Sequence, residues 1–234
     1  VGEQHRCRIR LAVFDVDGVL LPIRSSWGYI HERLGTREAS RLNYRLFMEG
    51  RIGYWEWMFL DTLAWIEARP GITRWDLEQL FESIPVGEDA REAVRILREA
   101  GIEAALVSGG VDVAVARVAR ELGIRHWVSP ALAFDPWGRL VPGGEPRLEA
   151  DRKDRAVLSL ARRLGYTMRE VAFVGDSRWD LRGMREACLA VAVNPHDPHV
   201  EQEADYVARD LVDAAYFILE HSTAWRAGRR RPGR

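Results

Sequence analysis

Asp15 and Asp17 stand two residues apart near the end of the apolar run Ile9 to Leu21, which reads Ile-Arg-Leu-Ala-Val-Phe-Asp-Val-Asp-Gly-Val-Leu-Leu. An unpaired carboxylate is costly to bury, so two of them beside Gly18 call for a cation or a reacting group that offsets the cost. Alone, Asp-x-Asp-Gly has two readings: a metal-assisted site at the C-terminal edge of a sheet, or a polar turn closing a strand. In the first, a turn at Gly18 brings the Asp17 side chain and a backbone carbonyl around one centre.

Two more segments carry reactive groups. Ser108-Gly109-Gly110 offers a hydroxyl and free backbone N–H groups ahead of a helix, the physics of an oxyanion or phosphate cradle, although alone it is also a flexible turn. Gly175-Asp176-Ser177-Arg178-Trp179-Asp180 sets Asp180 one helical turn past Asp176, and alone it also fits a helix cap. Of the 34 basic residues, the single lysine is Lys153. A lysine retained among arginines is either chance or a position that needs a compact ammonium in place of a planar fork.

These groups act together only if the fold brings them to one edge. After the first strand the pattern is helical, over 27–34, 38–49, 54–67 and 74–83, punctuated by Gly35, Gly50, Gly53 and Pro70-Gly71. From Val86 strands and helices alternate: helix 89–100, strand 103–107, helix 111–122, strand 126–128, a hairpin around Asp135-Pro-Trp-Gly138, helix 154–164, strand 170–174, helix 180–187, strand 189–193, strand 206–207 and helix 210–220. That alternation predicts an α/β fold, a Rossmann-like parallel sheet covered by helices on both faces. Residues 1–21 and 86–220 form the expected core, 22–85 an inserted all-helical cap, and 221–234 a basic tail read as a solvated terminus and not a nucleic-acid arm. In an open parallel sheet ligands bind outside the carboxyl ends of the strands. The three segments all fall there, which disfavours three independent turn readings.

With 234 residues, 47% of them hydrophobic, the chain can bury one good core or a core plus a small insertion. A net charge of -1 gives no reason to expect a polyanion or an anionic membrane as partner. Cys7 and Cys188 are far apart and lack metal spacing, so neither a disulfide framework nor a zinc cluster is implied. No stretch approaches the roughly 20 apolar residues of a membrane span, so a soluble, cytoplasmic protein is expected. Asn occurs only at 43 and 194 and Gln only at 4, 79 and 202, a depletion of thermolabile amides that hints at a hot-growing source. His196 and His199, in Pro-His-Asp-Pro-His, read as a surface turn.

An aspartate pair after strand one, a serine after strand two, a lysine and a late acidic pair resemble, in order and spacing, the four motifs of the haloacid dehalogenase superfamily. The resemblance spans essentially the whole chain. The helical insertion, the Ser-Gly-Gly form and the hairpin near Trp137 are most similar to phosphoserine-phosphatase-like members. It implies a Mg²⁺-dependent phosphatase that hydrolyses a small phosphate monoester through an aspartyl-phosphate. Asp15 is then the nucleophile, and Asp17 the acid that protonates the leaving alkoxide and later activates water. Mg²⁺ falls to Asp15, Asp176 and the Asp17 carbonyl, phosphoryl oxygens to Ser108, the Gly109 N–H and Lys153, and orientation of Lys153 or a metal-bound water to Asp180. The charges are needed: an anion attacking a dianion at about 4 Å, with an effective dielectric near 20, meets roughly 4 kcal/mol per unit charge pair. Dehalogenating relatives lack an aspartate at the Asp17 position, and transport ATPases carry Thr there, so phosphoryl transfer to water is favoured.

The cap departs from the phosphoserine phosphatases. Their acidic reader of the substrate amine falls on Arg24, and their carboxylate-reading arginine falls near Asp61, so the polarity is reversed and phosphoserine is expected to be a poor substrate. Trp179 stands where the family usually has Asn. The aromatic run Trp27, Tyr29, Tyr54, Trp55, Trp57, Phe59 and Trp65 is expected to be mostly cap core, with one or two rings at the pocket. A second class stays open at this point, a catalytically silent protein of the same fold that regulates or contacts nucleic acid.

Overall fold

The computed structural model describes residues 7–222. The chain enters through β1 (Leu11–Phe14) and then forms four consecutive helices, α1 (Ser26–Arg33), α2 (Arg37–Met48), α3 (Tyr54–Ala68) and α4 (Arg74–Glu82). It continues through α5 (Glu88–Glu99), β2 (Glu103–Val107), α6 (Asp112–Leu122), β3 (His126–Val128) and a hairpin of β4 (Ala131–Phe134) and β5 (Leu140–Glu145). The last part is α7 (Lys153–Arg163), β6 (Val171–Gly175), α8 (Leu181–Glu186), β7 (Leu189–Val193), α9 (Pro198–Glu203), β8 (Tyr206–Ala208) and α10 (Leu211–His221).

Six strands make one sheet in the order β3-β2-β1-β6-β7-β8, every pairing parallel. β1, β6 and β7 are buried along their whole length, which explains why they read as unbroken apolar runs without alternation. Phe14, Val94, Leu97, Val115, Val118 and Ile218 belong to the core on one face, and Val13, Val157, Leu160, Phe173 and Met184 to that on the other. Helix α5 shows how a face is made: Ala90, Ala93, Val94 and Leu97 recur at helical spacing and are buried with Ile96, while the rest of the helix is charged. The strand order reverses beside β1, so the crevice at the carboxyl ends of β1 and β6 is the topological switch point of the sheet.

The helices α1–α4 stand between β1 and α5, and the β4–β5 hairpin braces them. The Gly143 N–H donates to Thr62 Oγ1 of α3 at 2.7 Å, and the Trp55 indole donates to the Gly144 carbonyl at 3.2 Å. A side chain at Gly144 would lie 2.2 Å from the Ala131 carbonyl, so the hairpin needs glycine there.

Three expectations need correction. The first strand is four residues long because the chain turns at Val16, whose carbonyl accepts from the N–H groups of Leu20 and Leu21. Pro198 does not keep the His199 segment irregular: it takes the first turn of α9, where its missing N–H costs nothing, and Asp197 caps that helix. The cysteines pair. Cys7 and Cys188 form a disulfide across 181 residues, because each precedes a strand that begins at the same edge of the parallel sheet, which brings their Cα atoms to 6.0 Å. Among the described residues no helix is long and apolar enough to cross a membrane. The basic tail lies outside the described residues from position 223 onward.

Candidate active site

Asp15 follows β1 directly, its N–H held by the Val174 carbonyl at 2.9 Å, so the carboxylate projects from the carboxyl end of the sheet. Its Oδ1 accepts from the Val16 N–H at 2.7 Å, and its Oδ2 faces Lys153 Nζ at 2.7 Å. Lys153 opens α7 and is 1% exposed; the same Nζ donates to Asp180 Oδ1 at 2.6 Å. One ammonium is thus gripped by two buried carboxylates. Burial works against its charge, but Asp15 and Asp180 outweigh that and hold the Lys153 pKa above its ordinary value.

Asp180 spends its other oxygen on the backbone. Oδ2 accepts from the N–H groups of Asp176 and Ser177 at 3.1 and 3.0 Å and from the Ser177 hydroxyl at 3.0 Å. It therefore shapes the loop after β6 and fixes Lys153 at once. That loop delivers Asp176 against the turn at Gly18. Gly18 has φ +81°, and a Cβ there would lie 2.0 Å from Asp176 Oδ2, so only glycine allows the approach.

Carboxylate oxygens of Asp15, Asp176 and Asp180 lie within 4.8 Å of one another, all buried. Burial, then the neighbouring carboxylates, push Asp15 up to about 7 and Asp176 up to about 8. Asp176 Oδ1 is buried with no hydrogen-bond partner. An orphaned oxygen in a crowd of like charges is the donor set of a hard divalent cation. Both oxygens of Asp180 are already engaged, which leaves Asp15 and Asp176 as the side chains able to receive an ion.

Asp17 points elsewhere. Its Oδ2 accepts from the Ser26 N–H at 2.7 Å and the Ser26 hydroxyl at 2.8 Å, while Oδ1 is buried and unpartnered. Burial raises the Asp17 pKa, and the Ser26 hydrogen bonds oppose that shift. Ser108, fully buried at the end of β2, accepts from the Gly110 N–H at 3.1 Å. A Cβ at Gly110 would meet Ser26 Oγ at 2.7 Å and Asp17 Oδ2 at 2.9 Å, so the second glycine of Ser-Gly-Gly is needed for closeness.

Most of these groups border one cavity of about 260 Å³, with Asp180 and Ser26 outside its lining. Asp15, Asp17, Ser108, Gly109, Lys153 and Asp176 line it from the sheet side, and Arg24, Trp27, Tyr54, Trp57, Met58 and Asp61 from the insert side. Arg24 is exposed and Asp61 buried, so both expected insert residues reach the cavity, in different settings. Trp179 and His196 line it as well, His196 with its Nε2 3.9 Å from Asp176 Oδ2. Of the aromatic run, Trp27, Tyr54 and Trp57 reach the cavity, Trp65 is fully buried and Trp55 is exposed.

The profile of the haloacid dehalogenase-like hydrolases matches residues 9–187 of this chain. The chain belongs to that family. Among curated haloacid dehalogenase relatives, a phosphoserine phosphatase of Archaeoglobus fulgidus is 32% identical over 88% of this chain and 56% of its own length. One from Albidiferax ferrireducens is 28% identical over 78% of each chain. The chain thus spans little more than half of the archaeal relative. Among solved structures, a substrate-bound phosphoserine phosphatase complex superposes with a TM-score of 0.72 at 22% identity, covering 89% of this chain and 98% of that one. That likeness shows the fold.

Ser26 and His196, the latter expected in a surface turn, are residues of this haloacid dehalogenase site that sequence reading missed. Serine at the start of a helix signals a cap, and nothing in its spacing reveals that it holds Asp17 in place. Trp27 is similar: its indole N–H donates to the Gly109 carbonyl at 3.0 Å and pins the insert to the Ser-Gly-Gly turn.

Proposed function

We propose that this chain hydrolyses a small phosphate monoester through a covalent aspartyl-phosphate, with the helical insert as the cap over the site. The observation that carries the reading is Asp15 itself: a buried carboxylate facing the cavity, steadied by Lys153 at 2.7 Å, with a second acid, Asp17, two residues on. The curated relatives named above are phosphoserine phosphatases, which supports phosphate esters as the substrate class.

In this reading an Asp15 oxygen attacks phosphorus and the bond from phosphorus to the alcohol oxygen breaks. The proton of Asp17 passes to the departing alkoxide. Water then attacks the phosphoaspartate, Asp17 takes its proton back, and the bond from Asp15 to phosphorus breaks to release phosphate. Ser108 and the Gly109 N–H receive phosphoryl oxygens, and Lys153 neutralises charge on Asp15 and the phosphoryl group. Asp180 is a positioning residue for Lys153. Asp15, Asp176 and the Asp17 carbonyl would hold Mg²⁺, which supplies positive charge against the dianion. Arg24, exposed at the rim, meets a further anionic or hydroxyl group of the substrate.

The test is phosphate release from p-nitrophenyl phosphate with and without Mg²⁺, for wild type and Asp15→Asn. The reading expects Mg²⁺-dependent turnover, lost in the variant because an amide cannot attack phosphorus. Near-wild-type activity of Asp15→Asn, with deamidation excluded by mass, overturns the assignment.

A further inference from the structure

The insert-side wall of the cavity holds a donor that the phosphoryl chemistry does not use. Trp57, on α3, lines the cavity, and its indole N–H is buried with no hydrogen-bond partner. A buried donor without an acceptor is unfavourable, so each one in a folded protein calls for a missing partner or a function. Trp27 gives the contrast within the same wall, because its indole N–H is already engaged by the Gly109 carbonyl at 3.0 Å. The Trp57 ring is held in place. It stacks on Phe47 at 4.6 Å between ring centres and meets Tyr54 edge-on at 5.9 Å.

The surroundings select the acceptor that suits this donor. Asp61, one turn further along α3, lines the same wall and is 2% exposed. Burial raises the Tyr54 hydroxyl pKa, and the negative charges of Asp61, Glu149 and Asp151 raise it further, so the wall sits in a negative field. That field repels a carboxylate or a second phosphate placed beside Trp57. A protonated amine has no lone pair to offer the indole. A hydroxyl meets both demands, since its oxygen accepts from Trp57 while its hydrogen is free for an acceptor such as the Asp61 carboxylate. The apolar C–H edges of a polyol also pack well on the rings of Trp27, Tyr54 and Trp57.

We infer that Trp57 determines specificity and that the preferred substrate is the phosphate monoester of an uncharged polyhydroxy alcohol, one of whose free hydroxyls accepts from the Trp57 indole. The inference rests on the phosphatase reading above and names the alcohol that reading leaves open. A small polyol or sugar phosphate suits a cavity of about 260 Å³, with its phosphoryl end at Asp15 and a hydroxyl at the aromatic wall.

The test compares esters that differ in hydroxyls at nearly constant shape: glycerol 3-phosphate with propyl phosphate, and glucose 6-phosphate with cyclohexylmethyl phosphate, with phosphoserine alongside. With Mg²⁺ present, the hydroxylated member of at least one pair should show at least about tenfold higher kcat/KM. Trp57→Phe keeps a ring and removes the N–H, and should lower that ratio at least about fivefold, mainly through KM. A smaller ratio in both pairs, faster turnover of phosphoserine than of both hydroxylated esters, or a Trp57→Phe loss that falls equally on both members of a pair overturns the inference. The wild-type comparison stands even if the variant fails to fold. If p-nitrophenyl phosphate and all the esters are inert, the phosphatase reading falls by itself. The hydroxyl site is then decided by titrating the same pairs against the indole fluorescence of the wild type: tighter binding of the hydroxylated member supports it, and equal or weaker binding overturns it.

Discussion

Ser26 donates both its backbone N–H and its hydroxyl to a single oxygen of Asp17, at 2.7 and 2.8 Å. The same hydroxyl accepts from the Val111 N–H at 2.9 Å. The first residue of α1 thus ties the second aspartate of the site to the start of α6, so the insert and the sheet agree on where that carboxyl stands. It also sets Asp17 at the positive end of the α1 dipole, which favours its ionised form.

Ser26→Ala removes one of two donors to Asp17 and leaves the backbone donor. We expect kcat to fall about tenfold, or about 1.4 kcal/mol, on alkyl phosphates whose leaving group needs a proton. The fall should be smaller on p-nitrophenyl phosphate, whose leaving group departs without one. Steady-state kinetics on both ester types check this, and equal losses would mean that Ser26 does not act through Asp17.

Lys153→Arg should not behave as a conservative change. The ammonium sits 2.7 Å from Asp15 and 2.6 Å from Asp180 in a site that is 1% exposed. A guanidinium must displace one carboxylate to enter. At least a roughly tenfold loss in kcat is expected, together with a melting-point drop from about 1–3 kcal/mol of overpacking. A variant with wild-type turnover and melting point removes the special role of the lone lysine.

Metal-free stability should fall as pH rises. Unfolded, Asp15 and Asp176 ionise near 3.8; folded, burial and then neighbouring carboxylates push them up to about 7 and about 8. Over the window between those values the native state holds more protons than the unfolded one, so rising pH destabilises it. A divalent cation removes the repulsion. The rise in melting temperature on adding Mg²⁺ should therefore be larger at about pH 8.5 than at about pH 5.5. A rise of equal size at both would show that these carboxylates are not what receives the ion.

Breaking the disulfide should cost stability without touching chemistry. Cys7 and Cys188 meet at the amino ends of the strands, and the reacting groups stand at the carboxyl ends. Cys7→Ser with Cys188→Ser should lower stability by about 2–4 kcal/mol, measured by denaturant unfolding, with kcat unchanged. Such bonds persist in oxidising compartments and in the disulfide-rich cytosol of hyperthermophiles.

What sequence reading captured were features with local signatures. The Asp15–Gly18 turn, the Ser108-Gly-Gly turn, the β6 loop and most helix bounds depend on neighbours in the chain, and they emerged within a residue or two. Contacts between segments distant in sequence were hidden. Ser26 reaches Asp17 and Val111 through folding alone, and Cys7 finds Cys188 because parallel strands start at a shared edge. The insert is intermediate: Arg24 and Asp61 were legible as cavity residues, but their burial, which separates a screened rim charge from an enclosed one, was not.

Ser222 at the end of α10 donates its hydroxyl to the Ile9 carbonyl just before β1, at 3.2 Å. Positions 9 and 222 therefore meet on the side of the sheet away from the reacting carboxylates. A short peptide could join them, and the chain could be reopened at Gly165, where nothing lies within 4 Å of an added Cβ. Such a circularly permuted enzyme starts at β6 and delivers the Asp176 loop before the Asp15 turn. Its sheet order and its cavity stay the same, because the site is assembled by strand neighbours in space and is indifferent to which of them is synthesised first.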